Sequence, residues 1–171
     1  MLLLLGISEW FSPAISGTGL HPRPGSGNFL KAYFPHIATE WTSTWIPPRK
    51  GESVDQLFER CESFLQAFTA RIEATYPTDR CILLVTHAAT VIALTRILTG
   101  QRKLPLRVGC CTVTTLHRVS TKEGICGQWH PADQGLASGA HLAYGSLRDW
   151  GFEDEVFNNE VRYYAVAERL A

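Results

Sequence analysis

The chain has no charge bias, no membrane-length apolar run and no repeat. Sixteen basic and sixteen acidic side chains cancel over 171 residues. A general nucleic-acid or membrane surface needs an excess of one sign, so neither is expected, and an acidic or phosphorylated ligand must be held by local groups. No stretch approaches the length of a membrane span. Residues 1–5 are apolar, but they are too short for a signal peptide and lack a basic flank. Five cysteines (Cys61, Cys81, Cys110, Cys111, Cys126) form an odd set without metal-ligand spacing. They read as reduced thiols in a cytosolic or nuclear protein, with Cys61 and Cys81 buried. There is no P-loop, no dinucleotide-binding glycine fingerprint and no Gly-x-Ser-x-Gly elbow, which excludes those phosphate-binding loops and the serine-hydrolase chemistry.

What is there is a globular composition, 45% apolar and 19% charged, long enough for one domain spanning 1–171. Residues 2–5 read as a short buried strand. Residues 12–27 are rich in Gly, Pro and Ser and read as loop, and 28–34 as a short helix. Ser53 and Gln56 have the spacing of a capping box. Val54, Leu57, Phe58, Cys61, Leu65, Phe68 and Ile72 then recur every three or four residues, which predicts a long amphipathic helix stopped by Pro77. An apolar strand over 81–86 follows, then a helix over 90–98 ended by Gly100. β-Branched residues at 112–119 and a second strand at 125–129 predict a hairpin around Lys122-Glu123-Gly124. Helix-forming composition at 155–170 predicts a C-terminal helix. This order predicts an α/β fold with a parallel sheet, helices on its faces and an antiparallel edge.

His87 is the most informative single residue. It ends an apolar run and precedes a helix, so its imidazole lies where a strand stops and helix N–H groups point outward. Open α/β sheets bind ligands at that edge, and helix N-termini attract phosphate. Glu9 follows the first apolar run and can reach the same edge. Phosphoryl transfer through histidine needs a nucleophilic imidazole, donors for the phosphoryl oxygens and an acid for the leaving group. Each residue also has a plain structural reading. A lone histidine after a strand is more often structural, and Glu9 by itself is an ordinary surface carboxylate. Trp10, Trp41 and Trp45 read as core or loop anchors, because no basic stripe accompanies them. His117 and His130 face each other across the predicted hairpin, but no histidine pair has the spacing of a zinc site.

The stretch Gly6-Ile7-Ser8-Glu9-Trp10, then Gly51-Glu52-Ser53 opening a helix with Arg60, then Val85-Thr86-His87-Ala88-Ala89-Thr90, resembles the histidine phosphatase superfamily (phosphoglycerate mutase-like). The similarity runs to the branch of the ubiquitin-associated and SH3-domain phosphatases and the histidine phosphatase domain of a TFIIIC transcription factor subunit. Gly127-Gln128-Trp129 and Arg148-Asp149-Trp150-Gly151-Phe152 are similar to that branch too. The resemblance implies a three-layer sandwich with a mostly parallel sheet. It implies metal-free phosphomonoester hydrolysis through phosphohistidine, with no cofactor. Glu9 would be the proton donor. His87, helped by backbone N–H groups near Ala88, would contact the phosphoryl group. Glu52 and Arg60 would be structural, and residues 12–50 would form a loop-rich insertion covering the pocket. The family nucleophile lies in an Arg-His-Gly at the end of an N-terminal strand, and no Arg-His-Gly occurs here. That strand would be missing from the sheet, and this chain is expected to turn over little or no substrate. A phosphorylated small molecule or phosphoprotein would be its ligand. The alternative is a non-catalytic interaction module with protein partners in a polymerase III transcription factor complex, without direct nucleic-acid or membrane contact.

Overall fold

The computed structural model describes residues 1–12, 19–120, 124–133 and 135–154. In order these form a 3₁₀ turn at Leu5–Ile7, helix α1 (Gly27–Leu30), helix α2 (Val54–Thr75), helix α3 (Ala88–Thr99) and strands β1 (Leu116–Arg118) and β2 (Trp129–Pro131). The C-terminal helix expected at 155–170 lies outside the described residues.

Helix α2 is the backbone of the core. Both halves of the capping box form: the Gln56 N–H donates to Ser53 Oγ at 3.2 Å, and the Ser53 N–H donates to Gln56 Oε1 at 2.8 Å. Leu57, Phe58, Cys61, Phe64, Leu65, Phe68 and Ile72 are buried along one face. Phe64 joins the expected stripe, whereas Val54 lies exposed at the helix start. The helix ends at Thr75, because Pro77 cannot continue it. Helix α3 packs against α2, burying Ala89, Ala93 and Leu94 in the shared core. Its cap is Gly100 at φ 69°, whose N–H reaches the carbonyls of Arg96 and Ile97. Glycine adopts this left-handed geometry without the strain a Cβ would bring.

The hairpin is antiparallel, with Leu116 opposite Pro131, His117 opposite His130 and Arg118 opposite Trp129. It sits later in the sequence and is shorter than the β-branched pattern predicts. Residues before it are fastened by isolated bridges, Val113 to Ser138 and Val108 to Trp150.

The expected strands at 2–5 and 81–86 are a correction. Residues 2–5 run into the 3₁₀ turn, and 81–86 are extended without a ladder, so no parallel sheet forms among the described residues. The physical reason is the absence of backbone partners: no backbone group of residues 82–85 makes a hydrogen bond among the described residues. Their side chains are correspondingly exposed, 50% for Ile82, 80% for Leu83 and 82% for Val85. Cys81, expected to be buried, is exposed for the same reason. The architecture is therefore a mixed α/β one, with two packed helices and a small antiparallel sheet.

Candidate functional site

The site is built around the entry to α3. His87 is its N-cap residue, with extended backbone and no capping bond from its own side chain. The Val91 N–H donates to the His87 carbonyl at 2.9 Å, which starts the helix. The N–H groups of Ala88, Ala89 and Thr90 have no backbone acceptor, so they point outward, as first-turn donors do. Aligned peptide dipoles place partial positive charge there.

Glu9 arrives from the other side of the core, and a buried network delivers it. The Arg60 side chain is 2% exposed and grips Glu52 with two nitrogens, its Nε donating at 2.9 and 3.0 Å. The same guanidinium donates from Nη1 to the Gly6 carbonyl at 2.7 Å. Glu52 completes the clamp through its backbone, whose N–H donates to the Phe11 carbonyl and whose carbonyl accepts from Trp10 Nε1. From α3, Thr90 Oγ1 donates to the Ser8 carbonyl at 2.9 Å, and Thr86 Oγ1 donates to the Ile7 carbonyl. Residues 6–11 are thus tied to both helices. Gly6 is required for this approach, because a Cβ there would overlap the Phe64 ring.

The result is direct contact between the two residues singled out from sequence. His87 Nδ1 lies 3.0 Å from Glu9 Oε2, with both side chains about half exposed. The other carboxylate oxygen, Oε1, accepts the Trp10 N–H at 2.9 Å. An Nδ1–H donating to the carboxylate fixes the neutral imidazole in the tautomer that leaves Nε2 as an acceptor. Arrangements of this kind orient a histidine for proton transfer or for contact with an anion.

Two clefts meet at this pair. One, of about 1080 Å³, is bounded by residues 1–5 and 81–85 and also takes in His21 and Arg23. The other, of about 710 Å³, takes in Ala88, Cys111 and Arg148. Of these neighbours Ala88 was singled out from the sequence, whereas His21, Arg23, Cys111 and Arg148 were not. His21 is buried and stacks on Phe11, with ring centroids 5.3 Å apart. Burial pushes its pKa down, and the Arg60 charge adds to the effect. Arg23 Nη2 donates to the Pro47 carbonyl at 2.9 Å, and the residue lines the first cleft. Arg148 is exposed in the second cleft, with a left-handed backbone at φ 54°. Cys111 in the same cleft is also left-handed, at φ 59°; strained backbone of this kind concentrates at functional sites. His117 and His130 do pair across the hairpin. Among the described residues no cluster of His, Cys, Asp and Glu is placed to hold a metal ion.

The family model of the histidine phosphatase superfamily (branch 1) matches residues 29–127, more than half of the chain. The chain belongs to the histidine phosphatase superfamily. The matched region of this superfamily runs from α1 through α3 into the hairpin, and includes His87 but not Glu9. A relative outside the family comparison is the transcription factor tau 55 kDa subunit of Saccharomyces cerevisiae (strain ATCC 204508 / S288c). It is 42% identical over 96 residues, which cover 56% of this chain and 22% of that protein. The histidine phosphatase-like chain thus spans about a fifth of the curated relative it matches.

Proposed function

We propose that this chain is a phosphate-binding histidine phosphatase module that turns over little or no phosphomonoester. The observation that carries the reading is the Glu9–His87 contact at the N-terminus of α3. It joins a carboxylate, an imidazole and outward N–H donors in a member of a phosphatase superfamily. In this reading Ala88 offers its N–H to a phosphoryl oxygen, His87 binds a second oxygen through Nε2–H when protonated, and Glu9 is the ancestral general acid. Arg148 and Arg23 line the adjoining clefts and would supply cationic charge. The ligand would be a phosphorylated small molecule or a phosphoprotein. Hydrolysis through a phosphohistidine needs an imidazole in line with phosphorus and an acid on the opposite side. Here the acid touches His87 itself. His21, the other imidazole lining a cleft, is buried against Phe11. The sequence supplies no Arg-His-Gly.

Purified protein should hydrolyse p-nitrophenyl phosphate no faster than buffer, while orthovanadate or inorganic phosphate perturbs the His87 imidazole NMR signals. A clear rate that His87→Ala abolishes would sink this reading.

The same reading gives the module a three-layer, mostly parallel sheet, with residues 12–50 as a loop-rich cover over the pocket. Support comes from the apolar extended backbone of 82–85 and from His21 and Arg23 at the first cleft.

A second reading has its own observation. The relative that is 42% identical over 96 residues is named as a transcription factor subunit. The module would then serve as an interaction piece of a nuclear protein complex. Mild purification of the native protein should bring down large partners with it. Recovery of a lone monomer from nuclear extract would count against this reading.

A further inference from the structure

Two of the six histidines stand directly opposite each other on the hairpin, and the phosphate contacts use neither. Backbone bonds on either side of His117 and His130 fix their register. The Val119 N–H donates to the Gln128 carbonyl at 2.8 Å, and the Ala132 N–H donates to the Thr115 carbonyl at 3.0 Å. A slip of one residue would turn both imidazoles to the other face. That face is already taken: Trp129 packs on the core, and Arg118 reaches Glu73 of α2 at 2.6 Å. His117 and His130 therefore share the outward face, and both are exposed. Neither lines either cleft, so whatever fills those clefts leaves this face as it is.

Cross-strand neighbours stabilise a sheet through apolar contact or opposite charge. Two imidazoles supply neither. Among the described residues neither ring makes a hydrogen bond, an ion pair or a ring contact, so their ring nitrogens are uncommitted. Side chains opposed in this way are rooted about 5.5 Å apart. Bonds from imidazole to a zinc-sized ion are about 2.0–2.1 Å long, so rings that share one need nitrogens about 3 Å apart. Two rings leaning together from adjacent strands can meet that. The residues beside them on the same face, Thr115, Val119, Gln128 and Ala132, carry no charge to repel a cation. Imidazole suits nickel, copper and zinc, whereas magnesium and calcium take oxygen. We infer that His117 and His130 together bind one divalent ion of the nickel–copper–zinc group, as a clip joining β1 to β2. No third His, Cys, Asp or Glu joins the pair among the described residues, so water completes the coordination. An ion held this way favours the paired hairpin by mass action. The site is separate from the Glu9–His87 contact and does not depend on it.

Nickel(II) chloride added to the whole chain is the probe, read by amide and imidazole NMR. The paramagnetic ion should broaden residues 115–119 and 128–132 first, saturating at one ion per chain, and EDTA should restore them. Magnesium chloride should do nothing. His117→Gln and His130→Gln should each weaken binding by about tenfold or more, because the second imidazole acts as an intramolecular ligand. Replacing both should cost little beyond either one, since a clip is lost with its first half. Both side chains face solvent, and unchanged amide signals from α2 and α3 will show that the variants fold. Three results would overturn the assignment. One is no broadening of the hairpin at millimolar nickel. Another is broadening centred on the exposed thiols of Cys81, Cys110 and Cys111 with the hairpin spared. The third is undiminished affinity in both single variants, which would mean that each imidazole acts alone.

Discussion

His87 and Glu9 draw their meaning from a 3.0 Å contact. Each was readable as a strand-end residue, because an apolar run that stops at a polar side chain is a local pattern. Their meeting was not, since 77 positions of chain separate them and only the packed helices bring the ends together. His21 was less legible still: a histidine in a Gly- and Pro-rich loop carries no local sign of burial. Its depressed pKa has a consequence for stability. The unfolded chain protonates this imidazole near pH 6.5, whereas the folded protein does so only at lower pH. Between those values the unfolded state binds more protons, so stability falls as pH drops below 6.5 and levels off beneath the folded value. Urea midpoints at pH 7.5 and pH 5.5 should show that loss, and His21→Phe should flatten it. Cysteine behaviour follows exposure in the same way. Burial pushes the Cys61 thiol up to about 12, so it is inert, whereas Cys81 is exposed where its strand was expected to be covered.

At the scale of elements, the helices were the legible part. The α2 stripe, its capping box and its proline stop are all local signals, and all are realised. So is the glycine cap of α3. The extended segments were misread for a physical reason. A strand is completed by backbone partners far away in sequence, and an apolar run states only that it can be covered, not that it is. The Glu52–Arg60 pair shows how an element positions a site without joining its chemistry. Removing one partner of a buried pair leaves an uncompensated charge, at a cost of about 3–5 kcal/mol. Arg60→Met should lower stability by that order in urea unfolding. It should also loosen residues 6–9, seen as loss of the His87–Glu9 contact by NMR. Replacing both partners, Glu52→Leu with Arg60→Met, should recover part of the stability and none of the contact.

For the molecule as a whole, aromatic contacts tie α2 and the segment that carries Glu9 into one core. Phe64 is fully buried, stacks on Phe68 with centroids 5.0 Å apart and closes against Gly6. Trp10, Trp150 and Phe152 form a second knot that joins the Glu9 segment to residues 150–152. Phe64→Ala should cost about 3–5 kcal/mol, by lost burial and the cavity left behind. The drop should be seen in the urea midpoint measured by far-UV circular dichroism. A value under 1 kcal/mol would mean that the core is not organised around this ring.

The sequence by itself determined the two helices, their caps and the candidacy of His87. These rest on periodicity and on contacts between near neighbours, which side-chain order alone can specify. Tertiary structure decided the rest. It set Glu9 against His87, brought His21, Arg23 and Arg148 to the adjoining clefts, and left residues 82–85 extended without backbone partners. Each of these depends on chain segments far apart in sequence, and such distances close only when the core is packed.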